Sequence, residues 1–175
     1  MGGDKTLSKS EKDHDLLGPG VYFWESDSLR ALEWAKEKGY AEPFVIGAVI
    51  DLRNCLDLAN REDLEILSDA YEDFLAAQRS SGFPLPENKN VKRDHHKDRL
   101  LRFLDCAVIR HLHEIYKDPS KNTQQLEPFD TVRGIFTEGG DLFEGSGFQR
   151  KTHVQIAVCN LDCIRGIFIP KPYPS

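Results

Sequence analysis

No apolar run in this chain approaches the roughly 20 residues that a bilayer-spanning helix needs, so no membrane insertion is expected. The opening residues Met1-Gly2-Gly3-Asp4-Lys5 lack the apolar core of a secretion signal, which makes the cytoplasm the expected compartment. Cysteine is sparse and scattered. Cys55, Cys106, Cys159 and Cys163 form no CxxC pair, and the close Cys159–Cys163 spacing has no matching second pair. Free thiols in a reducing compartment are expected, and no zinc site. GxSxG, P-loop and GxGxxG motifs are all missing; Gly18-Pro19-Gly20 lacks a third glycine and follows no strand, so a Rossmann reading fails. Positive charge is also short, with 23 Lys and Arg against 29 Asp and Glu. A net charge of -6 argues against a protein that coats DNA nonspecifically. It leaves room for an enzyme that meets nucleic acid through one local basic patch.

What is present suits one domain: 175 residues, 39% of them hydrophobic, are enough to build a core. The most informative stretch is Leu17-Gly18-Pro19-Gly20-Val21-Tyr22-Phe23-Trp24-Glu25-Ser26-Asp27, followed at once by Ser28 to Ala35. Glycine and proline make a turn, four large residues make a short strand, and a Ser/Asp cap opens a helix with Leu29, Leu32 and Ala35 on one face. Gly39 closes that helix. Such a unit sets aromatic surface beside a flexible backbone, suited to gripping a flat ring. A plain core strand is the simpler use of the same residues.

The run Phe44 to Leu52 reads as a buried strand, and Asn54 to Leu58 as a turn with a second short extended piece. From Asn60 or Arg61 the texture changes. Leu64, Leu67, Tyr71, Phe74 and Leu75 recur at helical spacing, with Glu62, Asp63, Glu65, Asp69, Glu72 and Asp73 on the other face. Ser80 to Pro86 breaks this helix. Asp94 is expected to cap a second one carrying Leu101, Leu104, Val108, Leu112 and Ile115, up to Lys117-Asp118-Pro119. Strand patterns return at 130–137, 152–158 and 163–169, with a glycine-rich loop, Glu138 to Phe148, between the first two. Strands first and last with a helical hairpin over about residues 60–118 make the expected fold class α+β.

Three groups of residues invite chemical readings. His95, His96, His111 and His113 lack the spacing of a metal motif, and no metal is expected. Lys89, Lys92, Arg93, Lys97, Arg99 and Arg102 form the one basic concentration; it reads either as a solvated helix start or as a contact to a phosphate backbone. Cys159 and His153 fall on one strand face but too far apart to work as a nucleophile and base.

Gly18-Pro19-Gly20-Val21-Tyr22-Phe23 resembles the G-x-G-[IV]-Y-F segment of diphtheria-toxin-like ADP-ribosyltransferases, the group that includes the poly(ADP-ribose) polymerases. Leu17 to Ala35, with Lys151 to Ile156, resembles a toxin-like bacterial and phage-defence subgroup. The likeness covers about half of the chain and implies a single-domain split β-sandwich over residues 1–175, without a counterpart of the family's first His-Gly strand. It implies NAD+ as co-substrate and transfer of ADP-ribose to a nucleic-acid or protein acceptor, with a neutralising antitoxin as a further partner. By position, Tyr22 and Trp34 would flank the nicotinamide, with Phe23 beside them. Gly20 would allow close backbone approach, and Arg30 would reach the carboxamide or a phosphate. Gln155 stands where the family keeps its catalytic glutamate; it would bind the ribose without negative charge, unless Glu138 or Glu144 swings in. The alternative is a degenerate module that binds NAD or ADP-ribose, or serves in protein complexes.

Overall fold

In the computed structural model, residues 7–92 and 95–171 are described. The elements are β1 (Val21–Trp24), α1 (Ser28–Glu37), β2 (Gly47–Ile50), β3 (Cys55–Asp57), α2 (Arg61–Ser81), α3 (Phe103–Lys117), β4 (Thr131–Phe136), β5 (His153–Val158) and β6 (Ile164–Phe168). The fold is α+β. A four-stranded sheet runs β1-β5-β4-β3, and β2 pairs with β6 in a separate two-stranded sheet. β3 joins β4 in parallel; the other pairings are antiparallel.

Alternation along the strands gives the larger sheet two apolar faces. On one, Leu56, Val132 and Ala157 meet Leu17, Ala70, Val108, Ile109 and Leu112, which seats α2 and α3. On the other, Val21, Ile156 and Val158 meet Ile50, Leu52 and Ile164 from the smaller sheet and its flanks. The large sheet is therefore a middle layer. The turn before β1 presses into α3: Gly18 has φ +74, and a Cβ there would stand 2.9 Å from Ile109.

The helical segment departs from expectation at its second half. α3 begins at Phe103, while Leu101 pairs through its backbone with Lys89. Asp94 lies outside the described residues. The start of α3 is capped from a distance instead, since the Asn88 side-chain oxygen accepts the amide of Leu104 at 2.9 Å. In α2, Leu64 is exposed, and the buried position is Ala70. In α1 the buried face carries Arg30 and Ala35, and Leu29 is exposed. Among the described residues no helix is long and apolar enough to cross a membrane.

Candidate functional site

Because β1 alternates, Val21 and Phe23 face the smaller sheet while Tyr22 packs on the helical core, and Trp24, at the strand's end, reaches the cleft described next. Asp27 caps α1 by accepting the Arg30 amide at 2.9 Å, and this turn folds the helix back beside the strand end. Between β1, α1 and the segment entering β2 lies a cleft of about 900 Å3, lined by Phe23, Trp24, Ala31, Trp34, Tyr40, Phe44 and Ile46. The Trp24 and Trp34 rings stand 5.5 Å apart, Tyr40 stands edge-on to Trp34 at 6.3 Å, and the Lys38 ammonium lies 5.4 Å from the Trp34 ring. The Trp24 indole N–H is buried without an acceptor among the described residues. An unpaired buried donor is costly, on the order of 1–3 kcal/mol.

Tyr22 lies along the cleft and is also tied from within. Its side chain packs against the helical core, and its hydroxyl donates to the Gly18 carbonyl at 2.7 Å and accepts the Leu17 amide at 3.1 Å. Burial pushes the phenol well above its ordinary range. Tyr22 ties the turn to the core. Gly20 is also used internally: it exchanges backbone hydrogen bonds with Ser10, and a Cβ there would stand 3.1 Å from Ala157.

Arg30 is turned away from the cleft. Its guanidinium pairs with Glu138 at 2.8 Å, with both side chains about nine-tenths buried, and Glu37 stands at 3.8 Å. Glu138 is thereby pinned and is not free to swing toward Gln155, whereas Glu144 is exposed on the glycine-rich loop. No spacing signal announces this pair, because its members lie 108 positions apart.

Gln155 pairs with Trp24 in the β1–β5 register, on the side of β5 that carries Ala157; Ile156 lines the cleft and Gln155 does not. Its amide nitrogen is 2.9 Å from Nε2 of His153, whose Nδ1 is 2.7 Å from the Lys151 carbonyl. The geometry fixes one tautomer: Nδ1–H donates to the carbonyl, and Nε2 accepts from the Gln155 amide. Burial pushes the imidazole below its ordinary range, opposed by the Lys151 carbonyl and the Glu138 charge. The Gln155 carbonyl oxygen is left as an acceptor.

Cys159 has a histidine neighbour that the sequence does not reveal. His113, on α3, brings Nε2 to 3.9 Å from the sulfur. Burial pushes the thiol up to about 11, and burial with the nearby Lys117 charge pushes the imidazole down to about 4. Both stay neutral, which is the opposite of a thiolate–imidazolium nucleophile. Neutral burial has a pH consequence. The unfolded chain takes up the His113 proton near pH 6.5 and the folded chain only near 4, so stability present above pH 6.5 falls between these values, by up to about 3 kcal/mol. Urea melts at pH 7 and pH 5 should differ in that direction, and His113→Leu should flatten the difference.

His111 pairs with Asp73 of α2 at 2.6 Å, and among the described residues no cluster of His, Cys, Asp and Glu is arranged to hold a metal. Arg93 of the basic segment lies outside the described residues. No family model matches the chain, and no curated protein or solved structure matches it either.

Proposed function

We propose that the chain is a transferase that breaks the nicotinamide–ribose bond of NAD+ and passes ADP-ribose to a macromolecular acceptor, in the manner of the toxin and phage-defence enzymes it resembles. The supporting observation is the β1–β5 register: the aromatic strand of the G-x-G-[IV]-Y-F segment and the strand of Gln155 are direct neighbours, with Trp24 opposite Gln155. A sheet split in two, with an aromatic cleft where β1 leaves it, agrees with the split sandwich of that group.

In this reading the nicotinamide ring lies against Trp34 at the Trp24 end of the cleft, with Tyr40 at its rim. The Gln155 carbonyl oxygen accepts a ribose hydroxyl, and His153 holds the amide in the orientation that leaves this oxygen free. Arg30 and Glu138 hold the end of β4 and the start of α1 in register beneath these groups. A toxin of this kind would be matched by a neutralising protein.

The test is incubation with NAD+ labelled in the adenylate, reading released nicotinamide and label on protein or nucleic acid. Trp34→Ala should lower nicotinamide release about 5-fold or more at an unchanged melting temperature, with Trp34→Phe partly restoring it, since a stacking aromatic contributes about 1 kcal/mol. Absence of both products would return the chain to the alternative, a degenerate NAD-binding or protein-interaction module. The neutral amide at Gln155 is what favours that second reading.

A further inference from the structure

We propose that two interlocked loops, built from residues 89–92 with 95–102 and from residues 139–150, form a platform for single-stranded nucleic acid, which makes nucleic acid the acceptor class of the transfer reaction. The acceptor assignment rests on the ADP-ribosyl transfer reading; the binding platform stands without it.

The two loops are far apart in sequence and lock together in space. The Gly139 amide donates to the Asp98 carboxylate at 2.8 Å, and the His96 ring lies so close over Gly140 that a Cβ there would overlap it. The first loop is further braced by the Lys89–Leu101 backbone pairing and by the Arg99 amide donating to Asn90 at 2.8 Å. The second folds back on itself, with the Arg150 amide donating to Gly140 and the Leu142 amide to Phe148. Lys97 and Arg99 flank Asp98 with φ of 60° and 52°, a left-handed backbone that costs about 1–2 kcal/mol per residue. The loops are therefore held in one arrangement.

That arrangement gathers what a single strand needs. Lys92, Lys97, Arg99 and Arg150 are exposed, and none takes an ion pair among the described residues. On a chain of net charge -6 such a group is not a by-product of general basicity. On the second loop, which carries Arg150, Phe143 and Phe148 are 60% and 72% exposed. Cations that follow the backbone and free aromatic faces that stack on bases are the two parts of a single-strand site, and duplexes cannot use the second. The same loop runs directly into β5 at His153, two residues before Gln155.

The test is binding of fluorescent single-stranded DNA and RNA, and of a duplex, to the whole chain without NAD+. Four phosphate contacts predict that log K falls with log salt at a slope of about -3, reduced by about half in K97E/R99E. Phe143→Ala and Phe148→Ala should each weaken single-strand binding about 5-fold or more at unchanged salt slope. Gly140→Ala removes no charge or ring, yet it should weaken binding by pushing His96 and its loop away. Melting temperatures separate this from unfolding. Equal affinity for duplex, indifference to the phenylalanine changes, or label found on protein with no oligonucleotide bound would each overturn the platform. Oligonucleotide binding without NAD+ cleavage would sink the transfer reading alone.

Discussion

Glu138→Ala is expected to destabilise the fold by about 3–5 kcal/mol, because it strands the buried Arg30 guanidinium without its partner. The Arg30–Glu138 pair is 2.8 Å long and about nine-tenths buried at both ends. The remaining carboxylate, Glu37, is half exposed, stands 3.8 Å away and is shared with Lys151 at 2.9 Å. Two further nitrogens of Arg30 have no acceptor among the described residues, so Glu138 is the group that compensates the charge. Urea denaturation at pH 7 measures the effect. The double variant Arg30→Met/Glu138→Leu should recover much of the loss, since a buried pair replaced by apolar side chains is often close to neutral. A loss below about 1 kcal/mol in the single variant would mean that solvent reaches the pair and that it does not hold α1 to β4.

Gln155→Glu is expected to raise nicotinamide release about 100-fold, the scale of a charge placed where the transition state develops its own. As the glycosidic bond loosens the ribose becomes cationic, and a carboxylate beside it stabilises that charge where an amide only binds. The local hydrogen bonds predict a second, independent change. His153 now accepts from the Gln155 amide and has its pKa lowered by burial. A carboxylate at 155 cannot donate, so Nε2 must carry a proton to meet it, and the His153 pKa should rise above its present value. Nuclear magnetic resonance titration of the imidazole reads this directly. A raised His153 pKa with unchanged nicotinamide release would place Gln155 away from the reacting carbon and remove β5 from the chemistry.

The two variants act on one connected group of side chains, and their consequences are distinguishable. Glu138 raises the His153 pKa through its charge, with 3.7 Å between Oε1 and Nδ1, so its removal should lower that pKa while Gln155→Glu raises it. Opposite shifts at one imidazole give a check that global unfolding does not imitate.

Local pattern made much of this chain legible. The alternation in Thr152 to Val158 marked β5, the three-and-four spacing after Asn60 marked α2, and Gly-Pro-Gly followed by aromatics marked β1. These signals survive because each reports which side of an element is buried. The start of α3 was not legible. Its amides are satisfied by Asn88 across a gap of 16 positions and not by a neighbouring side chain, so no local cap exists to be read. The internal tie of Tyr22 was not legible for a related reason. Period-two alternation tells that Tyr22 and Phe23 face opposite ways, but which side carries helices and which carries the cleft is set by how the layers stack.

The sequence by itself determined the α+β class, most element positions, the aromatic strand–helix unit and the segment of basic residues. All of these depend on neighbours within a few positions. Tertiary structure alone decided that Arg30 meets Glu138, that Cys159 meets His113, that Gln155 lies across from Trp24, and that the basic and glycine-rich loops interlock. Each of these joins groups from distant elements, and a contact of that kind leaves no period in the chain. It comes from the packing of one sheet between two different layers, which turns Tyr22 into an anchor and leaves Trp24 and Trp34 at the cleft.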